Sequence, residues 1–387
     1  MEPSTSPESN VTGTSINPLV THMLARADVT INGDRPWDIQ LHDAGVIDQV
    51  LAYGSLGLGE SYMRGGWDAR ALDETIYRLL KARVDQEFHP LRLLVHGLKA
   101  RWLNRQTKAR AWQVGEAHYD LGNEFYQAFL GDTMAYTCGY WAQADNLDDA
   151  QRAKLDLICR KLDLQPGQRV LDIGCGWGSF MKYAAQHYGV ECVGLTVSRE
   201  QVIFGEQWCR GLPVIFRLQD YRDIDERFDR IVSVGMFEHV GRPNYRTYMT
   251  VAHRCLKPGG LFLLHTIGKL RADSPPDPWL DKYIFPNGEL PTMARIDQAA
   301  EGLFVTEDVH NFGADYDHTL MAWLRNFESA WPALEASHQV RGMDRRFHRM
   351  WRYYLLSCAA TFRARITQVW QYVFSIDGVA GGYRRCS

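Results

Sequence analysis

Val170-Leu171-Asp172-Ile173-Gly174-Cys175-Gly176-Trp177-Gly178 reads as a buried strand that runs into a glycine-rich turn and opens a helix. Apolar and β-branched residues in succession suit a strand covered on both faces. Glycines at alternate positions after it let a backbone come close to a ligand. A tight packing turn has the same look, so the motif alone leaves both readings open.

Strand and helix patterns alternate around it. Residues 148–164 form a helix with Ala150, Ala153, Leu155, Leu157, Ile158 and Leu162 on its apolar face, and Pro166-Gly167 ends it. After the strand 169–173, the pattern gives a helix over 179–188 and a strand over 191–196. A helix follows from Ser198, which with Gln201 has the spacing of a capping box. Strands over 214–218, 228–234 and 261–266 come next, with a helix at 245–255 between the last two. Such alternation predicts an α/β fold, a doubly wound and mostly parallel sheet with ligands outside the C-terminal strand ends. The end of the chain, 316–331 and 344–374, is expected to be helical and aromatic. Its Met321, Trp323, Leu324, Phe327, Met350, Trp351, Tyr353, Tyr354, Leu355 and Leu356 either pack a core or line an apolar pocket.

At 387 residues the chain is long enough for two domains. The expected division is a disordered tail at 1–16, a small, mostly helical domain at 17–100, a basic linker at 101–117 and a catalytic domain at 118–387. Within the first domain, 46–51 and 71–80 read as helices and 53–59 as a turn or loop. Net charge is −3, which gives no global case for nucleic acid. The longest apolar runs are strand-sized, far short of the ~20 residues that span a bilayer. Eight cysteines contain no Cys-x-x-Cys pair, so neither a zinc site nor a redox pair is suggested, and reduced thiols in the cytoplasm are expected.

Between Phe88 and Val114 the chain carries Arg92, Lys99, Arg101, Arg105, Lys108 and Arg110, with no acid, among leucines and tryptophans. Such a segment suits an anionic membrane surface or a solvated helix joining two domains.

A dinucleotide site would place an acid about twenty residues after its glycines to hold the ribose. Here the second strand ends in Thr196-Val197-Ser198, and an acid comes only after the third, at Asp220. That pattern suits S-adenosylmethionine, which has no phosphate to cradle.

Four phrases together resemble the cyclopropane-fatty-acyl-phospholipid synthases. They are Tyr136-Thr137-Cys138-Gly139-Tyr140-Trp141, the glycine stretch 170–178, Val232-Ser233-Val234-Gly235-Met236-Phe237-Glu238-His239-Val240 and His265-Thr266-Ile267-Gly268. Leu56-Gly57-Leu58-Gly59-Glu60-Ser61-Tyr62-Met63 and Asn311-Phe312-Gly313-Ala314-Asp315-Tyr316 extend the likeness, which runs from about Pro18 to Phe374 in the manner of the long bacterial form.

The resemblance implies a seven-stranded Rossmann-like methyltransferase sheet, and methyl transfer from S-adenosylmethionine to a cis double bond of a phospholipid acyl chain. It also implies a homodimer and a peripheral place on the inner face of the cell membrane. Attack by an alkene leaves a carbocation, for which the faces of Tyr140, Trp141 and Tyr316 are candidates. One proton must then leave. The resemblance assigns that step to bound bicarbonate, held by Cys138, Glu238, His265, Tyr316 and the backbone of Ile267. A small anion of low nucleophilicity removes a proton without trapping the cation. Glu238 beside an anion requires that one of them be protonated or that His265 be charged. For the cofactor, the resemblance assigns Tyr136, Thr137, Gly174, Gly176, Thr196, Val197, Gln201, Asp220 and Tyr221. A related enzyme that stops at a methyl-branched or methylene product would carry the same site.

Overall fold

The computed structural model describes residues 17–84, 122–272, 274–337 and 343–386. The expected tail at 1–16, the basic linker at 101–117 and the basic stretch 88–114 that overlaps it lie outside these residues.

The N-terminal unit comprises α1 (Pro18–Arg26), β1 (Gln40–Leu41), α2 (Gly45–Tyr53), α3 (Ser55–Met63), β2 (Trp67–Asp68) and α4 (Leu72–Lys81), with β1 and β2 paired antiparallel. The loop expected over 53–59 is instead a turn at Gly54 followed by the first half of α3. Gly57 permits this: a side chain there would overlap the Gln49 carbonyl of α2, so the two helices approach closely only around glycine.

The larger unit begins with α5 (Asn123–Leu130) and α6 (Leu147–Lys161). Asn146 caps α6 by accepting from the Asp149 N–H at 3.0 Å. Next come β3 (Arg169–Ile173), α7 (Ser179–Tyr188), β4 (Glu191–Thr196), α8 (Arg199–Trp208), β5 (Val214–Leu218), β6 (Phe228–Val234), α9 (Tyr245–Cys255) and β7 (Leu256–Lys269). The chain then adds α10 (Pro278–Tyr283), α11 (Met293–Ala300), β8 (Val305–Asn311), α12 (Asp315–Ser337), α13 (Arg345–Arg363) and β9 (Thr367–Ser375). No helix among the described residues is long and apolar enough to cross a membrane.

Seven strands make one sheet in the order β5-β4-β3-β6-β7-β9-β8. The first five are parallel, and β9 runs antiparallel to both β7 and β8. This is the doubly wound Rossmann-like arrangement. The chain steps from β3 outward to β5, then returns to lay β6 on the other side of β3. The switch point, where ligands enter such sheets, therefore lies above the β3–β6 seam.

Two local expectations are corrected. The last helix stops at Arg363, and 367–375 is a strand, because eight of its nine residues are buried. With both faces covered, no polar alternation remains to mark it. The capping box at α8 is half built: Ser198 accepts from the Gln201 N–H at 3.3 Å, but the Gln201 side chain turns to Thr196.

One apolar core joins the units, running from Tyr62 and Trp67 through Phe125 to Trp351 and Tyr353. Arg349 of α13 clamps the joint. Its guanidinium donates to the carbonyls of Tyr62 at 2.5 Å and Trp67 at 2.9 Å, pairs with Asp68 at 2.8 Å and lies 4.0 Å from the Tyr62 ring centroid. Replacing it with Met removes two hydrogen bonds to buried carbonyls and an ion pair to the half-exposed Asp68, a cost of ~2 kcal/mol. Thermal unfolding of Arg349→Met should therefore begin several degrees lower than wild type. An unchanged midpoint would mean that apolar packing alone holds the joint.

Candidate active site

A cavity of 1910 Å³ lies over the C-terminal ends of β3, β4, β6 and β7 and extends to the N-terminal unit. Its wall is mostly apolar, and the polar groups in it fall into two sets.

The first set surrounds the glycine turn. Gly176 sits at φ +55 with open space where a side chain would stand, so a ligand can reach the backbone there. Thr196 donates to Gln201 Oε1 at 2.6 Å and accepts from the Ser198 N–H at 3.1 Å, which fixes the Gln201 amide at the end of β4. Gly174, Val197, Asp220, Tyr221, Tyr136 and Thr137 line the same region. Asp220 is committed to Arg222, whose Nε and Nη2 each donate to it at 2.7 Å. An adenine amino group would have to share that carboxylate.

Asp172, the first-strand acid of the S-adenosylmethionine pattern, and Lys154, from α6, both line the cavity, and Lys154 was absent from the expected site. Lys154 Nζ donates to Thr137 Oγ1 at 2.8 Å, and burial lowers its pKa to about 8. Burial raises the Asp172 carboxyl to about 7, and its Oδ1 has no partner. An orphaned carboxyl oxygen beside an open glycine turn fits the cationic end of S-adenosylmethionine.

The second set is carried by β6 and β7. Glu238 lies in a 3-10 turn after β6, and its Oε1 accepts from the Ile267 N–H at 2.6 Å. Its Oε2 is buried without a partner, and burial raises the carboxyl to about 7. His265 lies on β7, with Nδ1 3.3 Å from the Gln371 amide nitrogen of β9. Burial, with Lys154 and Lys161 nearby, holds its pKa well below the usual range, so the imidazole is neutral. With the Glu238 carboxyl raised and the imidazole lowered, protonation of the carboxyl is the easier way to admit an anion there. Tyr316, at the start of α12, stands against Phe362 with ring centroids 4.5 Å apart.

Glu238, His265, Ile267 and Tyr316 line the cavity, but Cys138 does not. Its buried thiol donates to the Gly139 carbonyl at 3.2 Å, and burial keeps it neutral. The Ile267 N–H is likewise taken, by Glu238. Tyr140 packs against Phe312 at 5.5 Å and Trp141 against His318 at 5.7 Å, and neither lines the cavity. The aromatic residues of the wall include instead Tyr316, Tyr354, Phe285 and Phe362, with Tyr136 donating to the Tyr354 hydroxyl at 3.1 Å. Among the described residues, no cluster suited to a metal ion occurs.

Lys154 left a signal in the sequence. Gln151, Lys154 and Lys161 recur at helical spacing on the buried face of α6, where polar residues need a reason. Gln371 left none, because β9 itself was hidden.

Residues 106–372 match the family of mycolic acid cyclopropane synthetases. Cyclopropane-fatty-acyl-phospholipid synthase of Escherichia coli (strain K12) is 51% identical over 95% of this chain and 94% of its own length. A solved cyclopropane synthase from Mycobacterium tuberculosis is 30% identical, covers 70% of this chain and 99% of its own, and superposes with a TM-score of 0.64. A mycolic acid cyclopropane synthase complexed with SAH and CTAB is 33% identical over 68% of this chain and 97% of its own, with a TM-score of 0.63.

The Glu238 carboxyl holds its proton up to about 7 when folded, against an ordinary value of 4.5. Between those values the folded state binds more protons, so the stability from this group is full below 4.5 and is lost as pH rises through 7. The difference is worth ~3 kcal/mol at most. Glu238→Gln should remove it, so between pH 5 and pH 8 the wild type should lose several more degrees of melting temperature than the variant. Parallel melting curves would show that Glu238 is ionised throughout.

Proposed function

Since this chain belongs to the mycolic acid cyclopropane synthetase family and is an S-adenosylmethionine-dependent methyltransferase, we propose that it methylates a cis double bond in phospholipid acyl chains and closes a cyclopropane ring. The observation that carries this reading is one apolar cavity reaching from an open glycine turn to a buried carboxyl with a free oxygen.

S-adenosylmethionine, when bound, supplies the methyl group. Gly174 and Gly176 would hold it through the backbone, Thr196, Val197 and Gln201 would take the ribose side, and Asp220 and Tyr221 would take the adenine. Asp172 faces its positive end. Tyr136 and Thr137 close that region, with Thr137 fixed by Lys154.

An alkene is a weak nucleophile, so its alignment with the methyl supplies much of the rate. The apolar wall performs that alignment and excludes water, which would otherwise capture the cation. Transfer of that methyl to the alkene would leave positive charge on the neighbouring carbon, within reach of this wall. The π faces of Tyr316, Tyr354, Phe285 and Phe362 stabilise that charge.

Bicarbonate, when bound, supplies a small base for the proton that leaves as the ring closes. Glu238 in its protonated form donates from Oε2 to an anion there, and the Tyr316 hydroxyl is a second donor on the same wall. Cys138 supports the loop that carries Tyr136 and Thr137, and His265 stays neutral beside Gln371. Because the substrate chains sit in a bilayer, the reading includes peripheral contact with an anionic membrane surface.

Incubation with S-adenosylmethionine, bicarbonate and vesicles of cis-monounsaturated phospholipid should add one CH2 per acyl chain and remove the olefinic protons. A gain of CH2 with olefinic protons retained would select the methylene-forming reaction instead, and no gain would reject methyl transfer. Glu238→Ala should lower turnover by ~10²–10⁴-fold while leaving S-adenosylhomocysteine affinity unchanged. Equal loss of both would make Glu238 a cofactor ligand.

A further inference from the structure

The β7–β9 ladder runs past the catalytic groups to the mouth of the cavity. Its last pair is Lys269 opposite Thr367. One step beyond stand Leu270 and Ile366, which are 66% and 37% exposed. Two steps beyond stand Arg271 and Arg365, both exposed. All of these residues border the cavity whose inner wall includes Tyr316 and Phe362.

One exposed leucine is unremarkable on a soluble protein. Here two apolar side chains share a rim with three cations, at the entrance to an apolar cavity. Arg365 donates to the neutral Gln368 at 2.8 Å and Lys269 to the Ser274 carbonyl. The nearby carboxylates of Asp277 and Asp281 accept from the backbone N–H groups of Trp279, Leu280 and Asn287. An apolar tip ringed by Lys and Arg suits the boundary between headgroups and acyl chains of an anionic bilayer.

We propose that the rim formed by Leu270 and Ile366, with Lys269, Arg271 and Arg365 around them, seats this protein on an anionic phospholipid bilayer. The apolar pair enters the headgroup–acyl boundary, the cations meet headgroup phosphates, and an acyl chain passes into the cavity without crossing water. This rests on the lipid-methylating reading and adds the surface through which the lipid arrives.

The test uses the full chain with vesicles of cis-monounsaturated phosphatidylglycerol and phosphatidylcholine, followed by co-sedimentation. Wild type should bind these vesicles, more weakly as salt rises, and bind pure phosphatidylcholine less. The pair Leu270→Asp with Ile366→Asp should reduce binding about tenfold or more. It should also reduce methylation of vesicle lipid, while S-adenosylhomocysteine affinity and melting temperature stay at wild-type values. Arg271→Glu with Arg365→Glu, a second variant at the same rim, should abolish the preference for the anionic vesicles. The proposal is overturned if wild type does not sediment with vesicles, or if both variants bind as it does. Rim-dependent binding with no methyl transfer to any lipid would support the docking surface and reject the lipid-methylating reading.

Discussion

The register between β7 and β9 is the constraint on which the rest of the site depends. A slip of one residue would turn every side chain of β9 to the opposite face. Trp370, Tyr372 and Phe374 are locked into one core of the sheet and Val373 into another, so that slip would bury nothing correctly. With the register held, Gln371 stands opposite His265. The parallel partner β6 ends where Val234 meets His265. Ile267 therefore projects beyond β6, and its N–H serves Glu238 instead of a strand. The same ladder, carried four residues further from His265, ends at the rim of the cavity. One antiparallel pair thus sets His265, the carboxyl's single partner and the entrance together.

Elements with clear periodicity were legible in the sequence. The strands at 169–173, 191–196, 214–218 and 228–234 and the helices at 179–188 and 245–255 fall where the pattern put them, because a one-sided helix or a short apolar run between turns carries its own signal. β9 was not legible, since a strand covered on both faces and rich in aromatics looks like a continuation of the aromatic helix before it. β8 was missed altogether: most of its residues are only partly buried or exposed. At the site, the glycine turn followed from spacing, whereas Thr196 and Gln201 came from resemblance to a family. Glu238, His265 and Tyr316 came from resemblance to a family, because nothing in their local sequence says which cavity they face. Tyr140 and Trp141 show the converse: an aromatic dipeptide next to site residues points elsewhere once the loop is folded. The unpartnered oxygens of Asp172 and Glu238 could not be read at all, because a missing partner is a property of three dimensions.

Burial also decides which charges the cavity carries. Asp172 and Glu238 are raised to about 7 and His265 is neutral, while Lys154, lowered only to about 8, keeps most of its charge near neutral pH. A sulfonium entering this space brings the charge with it. Unlike charges attract, so Asp172 is the carboxyl whose ionisation the cofactor favours. Glu238 has the opposite requirement in the proposed reaction. An ionised carboxylate facing a carbocation would collapse onto it as an ester, and turnover would stop. A protonated carboxyl cannot do so, and its proton holds an anionic base in place. In the proposed reaction the two buried acids with similarly raised pKa values would serve different ends: one ionises as a cation enters beside it, the other keeps its proton while a cation forms nearby.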